Sequence, residues 1–429
     1  MTHLIKIMMM ALLVAGHAWA QTNGDEDVNA YNGEKTALMD ALWSGNIKKI
    51  KTLLDKGADP NLLRKGGDNI IVPISMSAVN SDLTHEQVAD IVKMMIDHGA
   101  KLEVKDNTYG YTPLMWMIEY NQPEAVKVLL DAGASVDVKD SHDDTPLSKA
   151  SKDGRLEIVK LLMARSNNND DAQLEKSLCN AVWQKQMDVV KSIILQVKKM
   201  PACALYQSVN GDQLDMAGVL LAAGADPNGL VKNDVPLVLA ADKGNEQMVA
   251  LLLNKKADPN FLTAAGWTPL TSAAYNGHLN IVNLLLKHQV NIDAKAGYET
   301  AFQVAVNRKH EAIAKVLLEA GADVIDNFTG NWSSLHTAAE LGESEILTAM
   351  LEKGANVDAR GANDMTPLMV ACDKGQLAIV KILLAHKADI KAVNAARGMT
   401  DVGDNFIGTP LQWAQHSGHQ DIVDYLTSL

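Results

Sequence analysis

Three cysteines, twelve histidines and 52 acidic side chains are the residues of this 429-residue chain best suited to chemistry. Their spacing assembles little of it. His85-Glu86 and His310-Glu311 open like the zinc motif HExxH, which needs a second His one helical turn on. Ala89 and Ala314 stand there instead, so both pairs read as polar helix residues. Cys179, Cys203 and Cys372 lack the C-x-x-C spacing of a structural zinc site. No glycine-rich phosphate loop and no G-x-S-x-G elbow occurs. The acidic pairs Asp143-Asp144 and Asp170-Asp171 fall in predicted loops and read as solvated, not as calcium ligands. The expectation is therefore no catalytic residue, no cofactor, no metal site and no enzyme. A cryptic site in an inserted segment is the minor alternative.

The elements that carry these residues repeat. Thr-Pro-Leu occurs at 112–114, 145–147, 268–270, 366–368 and 409–411. Looser copies place an equivalent apolar residue at Leu38, Ile74, Leu178, Leu205, Leu237, Phe302 and Leu335. From Leu205 to Leu368 the steps are 32, 33, 32, 33 and 33 residues, a fixed period that must be read before any other feature. Thr is a good helix N-cap, and Pro at the first helical position gives up a donor that would be orphaned anyway. Thr268-Pro269-Leu270 thus starts a short helix, which Asn276-Gly277 ends. Leu279, Ile281, Val282 and Leu285 then follow at helical spacing. One such helix pair cannot cover its own apolar faces, but stacked neighbours can.

The unit resembles the ankyrin repeat. The resemblance is carried by Gly266-Trp267-Thr268-Pro269-Leu270, Ala273-Ala274, Gly277-His278, Val282 and Leu285-Leu286, and by Gly57-Ala58-Asp59-Pro60-Asn61 and Gly224-Ala225-Asp226-Pro227-Asn228. It implies an all-α solenoid of about twelve helix-turn-helix units joined by β-hairpin-like loops, over residues 33–429. Gly57, Gly133, Gly224, Gly321 and Gly354 end second helices, and Lys256, Gln289 and Lys387 fill the same place elsewhere. His278 and His419 read as framework residues. Three departures stand out: an insertion near 81–86, a degenerate copy around Leu178, and a long segment over 393–407. The stretch 165–203 reads as the weakest stacking point and a possible bend.

The N-terminus reads as an export signal. Lys6 supplies positive charge, Ile7 to Gly16 is apolar but too short to span a bilayer, and His17-Ala18-Trp19-Ala20 suits cleavage after Ala20. Residues 21–32 are then expected to be a flexible linker, and the mature chain to be periplasmic or secreted, from a bacterium, with no membrane insertion. An oxidising compartment permits a disulfide. Cys179 and Cys203 lie in successive repeats at non-equivalent positions, which counts against a bridge and leaves it open; Cys372 reads as a small buried hydrophobe.

The net charge of −13 argues against nucleic-acid binding and suggests a basic patch on any partner. Only 4% of residues are aromatic, and many fall where ankyrin-like stacks meet protein partners. Counted from the Leu of Thr-Pro-Leu, Tyr109 and Phe406 lie at −5, and Tyr111, Trp267 and Trp332 at −3. Trp43, Trp183 and Tyr275 lie at +5, and Tyr120 at +6. These nine are the candidate partner-binding residues, whereas Trp116 and Trp413, at +2, are expected to pack between repeats. The resulting expectation is an exported scaffold that binds another protein through its concave face, as an inhibitor or immunity-type regulator of a periplasmic enzyme or toxin. A secreted effector that binds host proteins is the alternative; the partner's identity and the oligomeric state stay open.

Overall fold

In the computed structural model, every Thr-Pro-Leu triplet starts a helix. The side chains of Thr112, Thr145, Thr268, Thr366 and Thr409 each accept from the backbone N–H three residues on, at 3.1–3.4 Å. Proline takes the first helical position in each. The cap satisfies one of the amides that an α-helix leaves unpaired at its start. Thr36 and Thr300 do the same in two copies that lack the proline.

The structure describes residues 27–63, 73–80, 82–165, 171–297, 299–324, 333–395 and 406–429. The export segment, Trp332, and most of the 393–407 segment lie outside them. The described residues form 24 α-helices in pairs, with no long sheet; the helical-hairpin solenoid expected from the repeat is the fold found. Short antiparallel hairpins precede two of the pairs, Tyr31–Asn32 with Lys35–Thr36 and Lys295–Ala296 with Glu299–Thr300.

Two units divide the chain, residues 1–177 and 178–429. In the first, the helix pairs run from Ala37–Trp43 with Ile47–Asp55 to Pro146–Lys152 with Leu156–Arg165. Ordered pairing begins before residue 33. Tyr31 pairs with Thr36, and the Asn29 side chain accepts from the Asp59 amide at 2.7 Å. Residues 29–32 therefore belong to the first repeat and are not a flexible linker. Of the insertion, residues 82–84 lie between Pro73–Val79 and His85–Asp97, and His85 and Glu86 open the latter, a helix of 13 residues. The second unit holds the pairs from Ala202–Asn210 with Leu214–Ala222 to Pro410–His416 with Gln420–Thr427. The boundary falls within the degenerate helix Asp171–Trp183.

Within each unit the core is continuous from one repeat to the next. Leu114, Leu147, Leu270, Phe302, Leu335 and Leu368 are buried first-helix residues, and Leu129, Leu162, Leu252, Leu285, Leu317 and Leu383 are buried second-helix residues. Burial of a Leu side chain stabilises by about 1.5–3 kcal/mol, so the stripe is the main adhesive between repeats.

Polar side chains add a second, ordered connection. One Asn, Asp or Glu of a loop accepts from a backbone amide about thirty residues on. Asn29 reaches Asp59, Asn61 Lys101, Glu103 Ser135, Asn228 Asp258, Asn260 Asn291, Asp293 Asp323, and Asp358 Asp389, all at 2.6–2.9 Å. On another face, ring nitrogens donate back to the preceding repeat: His278 Nε2 to Asp242 O at 3.0 Å, and His419 Nε2 to Asp373 O at 2.9 Å. Gly244 and Gly375 turn at positive φ directly under these rings, where a Cβ would come within 2.7 Å of the imidazole. The Gly-His pairing of the motif is thus a packing requirement across two repeats.

Cys179 and Cys203 form a disulfide, with Cα atoms 6.0 Å apart. Their non-equivalent places in two repeats counted against it. The bridge ties Asp171–Trp183 to Ala202–Asn210 at one point, and a Cα separation within the range a disulfide spans is all it requires; equivalent places in the two repeats are not needed. Cys372 is fully buried, and burial pushes its thiol pKa up to about 12.

Candidate protein-interaction face

In the first unit the candidate face is organised by one buried carboxylate. Asp106 accepts from the amides of Thr108, Tyr109 and Tyr111 at 2.6–2.8 Å and from the indole N–H of Trp116 at 3.1 Å. It folds the loop so that both tyrosines lie against the helix Pro113–Glu119. Tyr109 and Tyr111 have ring centroids 5.2 Å apart, Tyr111 meets Trp116 edge-on at 5.5 Å, and Tyr120 stacks on Trp116 at 6.0 Å. Trp116 is buried, while the three tyrosines are half-buried.

Lys149 of the next repeat completes this cluster. Its Nζ lies 4.5 Å from the Tyr111 ring centre and donates to the Tyr111 hydroxyl at 3.0 Å. It also pairs with Glu119 and, at 3.5 Å, with Asp153. Burial opposes the ammonium charge, but Asp153, Glu119 and Tyr111 outweigh it and hold the lysine pKa above its usual value. Burial raises the Tyr111 and Tyr120 hydroxyls, with the Glu119 carboxylate adding to both. Lys149 therefore stays charged and both hydroxyls stay protonated at neutral pH, so the cluster presents rings and polar tips. Trp43, half-buried at the start of the same unit, carries Lys35 5.2 Å from its ring centre.

The second unit has three such places. Trp267 and Tyr275 meet edge-on at 5.0 Å, and the Arg308 guanidinium of the next repeat lies 3.7 Å above the Tyr275 ring. Phe406 stacks on His416 at 4.3 Å and meets Trp413 edge-on at 4.9 Å. There Asn394 plays the part of Asp106. It accepts from the Gly408 amide and the Trp413 indole, and donates to Phe406 O at 3.0 Å. Both ends of the long segment before the last repeat are thereby fastened. Trp183, 58% exposed, is the most open of the candidate rings among the described residues.

The structure thus gathers Tyr109, Tyr111 and Tyr120 into one cluster and Trp267 and Tyr275 into another. Phe406, Trp43 and Trp183 stand apart from these, and Trp332 lies outside the described residues. Trp116 and Trp413 are buried between repeats, as their +2 register requires. Sequence reading missed Asp106, Asn394, Lys149 and Arg308. A signal existed for the first two, since each precedes a Trp at +2. For the cations there was none, because each approaches its ring from a different repeat. Among the described residues no group of three His, Cys, Asp or Glu side chains could hold a metal ion. His310, one of the HExxH look-alikes, lies 3.2 Å from Tyr275 O, and His85 lies 3.4 Å from Glu124. Among the described residues no helix is long and apolar enough to cross a membrane.

Comparison with known proteins agrees with this architecture. The family model for ankyrin repeats in three copies matches residues 76–140 and, in overlapping matches, 200–429. The chain is similar to an ankyrin repeat and KH domain-containing protein of Caenorhabditis briggsae, at 27% identity over 70% of this chain and 11% of that one. It is also similar to alpha-latrocrustotoxin-Lt1a of Latrodectus tredecimguttatus, at 31% identity over 35% of this chain and 12% of the toxin. A putative ankyrin repeat protein of Rickettsia bellii is 30% identical over 34% of this chain and 56% of its own length. The chain thus spans under two thirds of each of these relatives. Among solved structures, the human ASB11 ankyrin repeat domain matches with a TM-score of 0.43 and 24% identity, over 52% of this chain and 96% of that one. With its repeats matched over more than half its length, the chain belongs to the ankyrin-repeat family.

Proposed function

We propose that this protein is an exported, non-enzymatic scaffold whose hairpin and first-helix face captures a protein partner and regulates it, in the manner of an inhibitor or immunity protein acting on a periplasmic enzyme or toxin. The observation that carries the binding role is that each unit, by itself, sets half-exposed rings from its hairpins and first helices at its surface. Trp and Tyr in such settings are the residue types that dominate binding energy at protein interfaces. Ankyrin repeats imply protein partners, and the rest of the fold is spent on stacking.

Export is supported by two independent features. The N-terminal segment has the charge, apolar core and small residues of a cleavable signal. The Cys179–Cys203 bridge suits an oxidising compartment, and the buried Cys372 thiol is too basic and too enclosed to exchange with it.

The test is affinity purification of the full chain from its native host after fractionation. The expected result is a periplasmic or secreted protein beginning at Gln21, bound to a toxin or hydrolase that it inhibits. Trp183→Ala should weaken capture at least about tenfold with little change in melting temperature. An N-terminus still beginning at Met1 would count against export. Failure to retain any partner at low salt would count against the scaffold.

A further inference from the structure

From the second unit we infer a docking point for an acidic side chain of the partner, beside an apolar one, built by Trp267, Tyr275 and Arg308. The inference rests on the scaffold reading above and names the chemistry that one part of the face selects.

Trp, Tyr and Arg are the three residue types most enriched at binding hot spots, and here they are contiguous across two repeats. The Arg308 guanidinium carbon lies over Tyr275, 3.7 Å from the ring centre, a cation–π contact. A contact of this kind holds the long side chain over the ring, and a guanidinium so held can fork a carboxylate with its N–H groups. Arg308 is exposed, and among the described residues no carboxylate lies within 4.0 Å of it. Two acidic groups of the neighbouring segments are engaged by neutral donors. Glu299 accepts from Asn307 Nδ2, and Asp242 accepts from Ser272 Oγ at 3.3 Å and Asn276 Nδ2 at 2.9 Å. Lys309, next in the chain, is exposed and adds a second positive charge, which it shares with the Glu343 carboxylate.

The apolar half of the site is Trp267. Its backbone closes a hairpin with Thr263, the amide of Thr263 donating to Trp267 O at 2.9 Å. Leu262, next to Thr263 in the same loop, is 55% exposed. The net charge of −13 would by itself favour a basic partner. Beyond about 8–10 Å, however, exposed charges are screened at physiological salt. At contact range the group that decides is the one facing the ligand, and here that group is Arg308.

The experiment is selection of random twelve-residue peptides, displayed on phage, against the purified full chain. The enriched peptides should place Asp or Glu next to an aromatic or branched aliphatic residue. Arg308→Gln should weaken their binding at least tenfold, and Trp267→Ala should do likewise. Arg308→Lys, which keeps the charge but not the fork, should recover only part. Thermal melting of each variant checks that the fold is intact. Enriched peptides that are basic, or that bind Arg308→Gln as well as wild type, overturn this site while leaving the scaffold reading in place. If no peptide is enriched the site is also overturned, and the scaffold reading then stands or falls on the partner purification.

Discussion

His336 shows how a single buried polar residue couples this fold to pH. It is fully buried at the start of the helix Ser334–Leu341. The Ser333 amide donates to Nδ1 at 3.3 Å, which leaves the ring proton on Nε2, where it reaches Met365 O of the next repeat at 3.0 Å. Burial lowers its pKa from 6.5, although its backbone hydrogen bonds act in the opposite direction. The folded state therefore prefers the neutral ring. Its contribution is complete above pH 6.5 and is lost as pH falls from there through the depressed folded value, because the unfolded chain binds the proton first. Stability should decline on that limb by up to about 1.4 kcal/mol per pH unit. Gln serves the same cap in Thr84–Gln87, Thr300–Gln303 and Thr409–Gln412. His336→Gln should thus keep the fold and flatten the acid limb of a melting-temperature profile between pH 7 and 5. An unchanged limb would mean that His336 is not the group responsible.

At the level of elements, the hairpin ladder explains why the Asp-x-Asn ending recurs. Asn228 accepts from the Asp258 amide at 2.8 Å and also approaches Lys256 O, and Asn260 repeats the arrangement on Asn291 and Gln289. A partly exposed hydrogen bond of this kind contributes about 0.5–1.5 kcal/mol, so Asn228→Ala should lower stability by roughly that amount. Its sharper signature is local: the Asp258 amide should exchange with solvent faster while the Asn291 amide does not. Equal exchange at both sites would refute the ladder as a one-to-one connection. The repeat itself was legible in the sequence, because caps, periodic apolar residues and turn glycines are local signals. Lys256, Gln289 and Lys387 were placed at the glycine position from spacing alone, and all three adopt positive φ. What could not be read is contact between repeats. Lys149 over Tyr111, Arg308 over Tyr275 and the Cys179–Cys203 bridge each join residues 24 to 38 positions apart. Their geometry depends on how neighbouring helices stack. The register of the candidate rings was readable, but which of them cluster, and around what, was not.

For the molecule as a whole, stability in a repeat chain is close to a sum of terms between neighbours, so a cross-link acts mainly where it is placed. The Cys179–Cys203 bridge joins the degenerate helix Asp171–Trp183 to Ala202–Asn210. This is the stretch where Thr-Pro and the Gly-Ala ending are missing, and where a covalent tie replaces sequence features that serve the other repeats. Closing a loop of 24 residues restricts the unfolded chain by about 3–4 kcal/mol. The double variant Cys179→Ala/Cys203→Ala should therefore lose amide-exchange protection over 171–210, while the last pair, Pro410–His416 with Gln420–Thr427, keeps its own. Mild reductant should do the same to wild type and nothing further to the double variant. Cys372→Ala should respond to reductant as wild type does, since that thiol is buried and its pKa is pushed up to about 12. Uniform loss of protection along residues 178–429 would show that the bridge supports the whole unit. No loss at all would show that helix packing alone holds the degenerate repeat, and the tie would then be a consequence of proximity in an oxidising compartment.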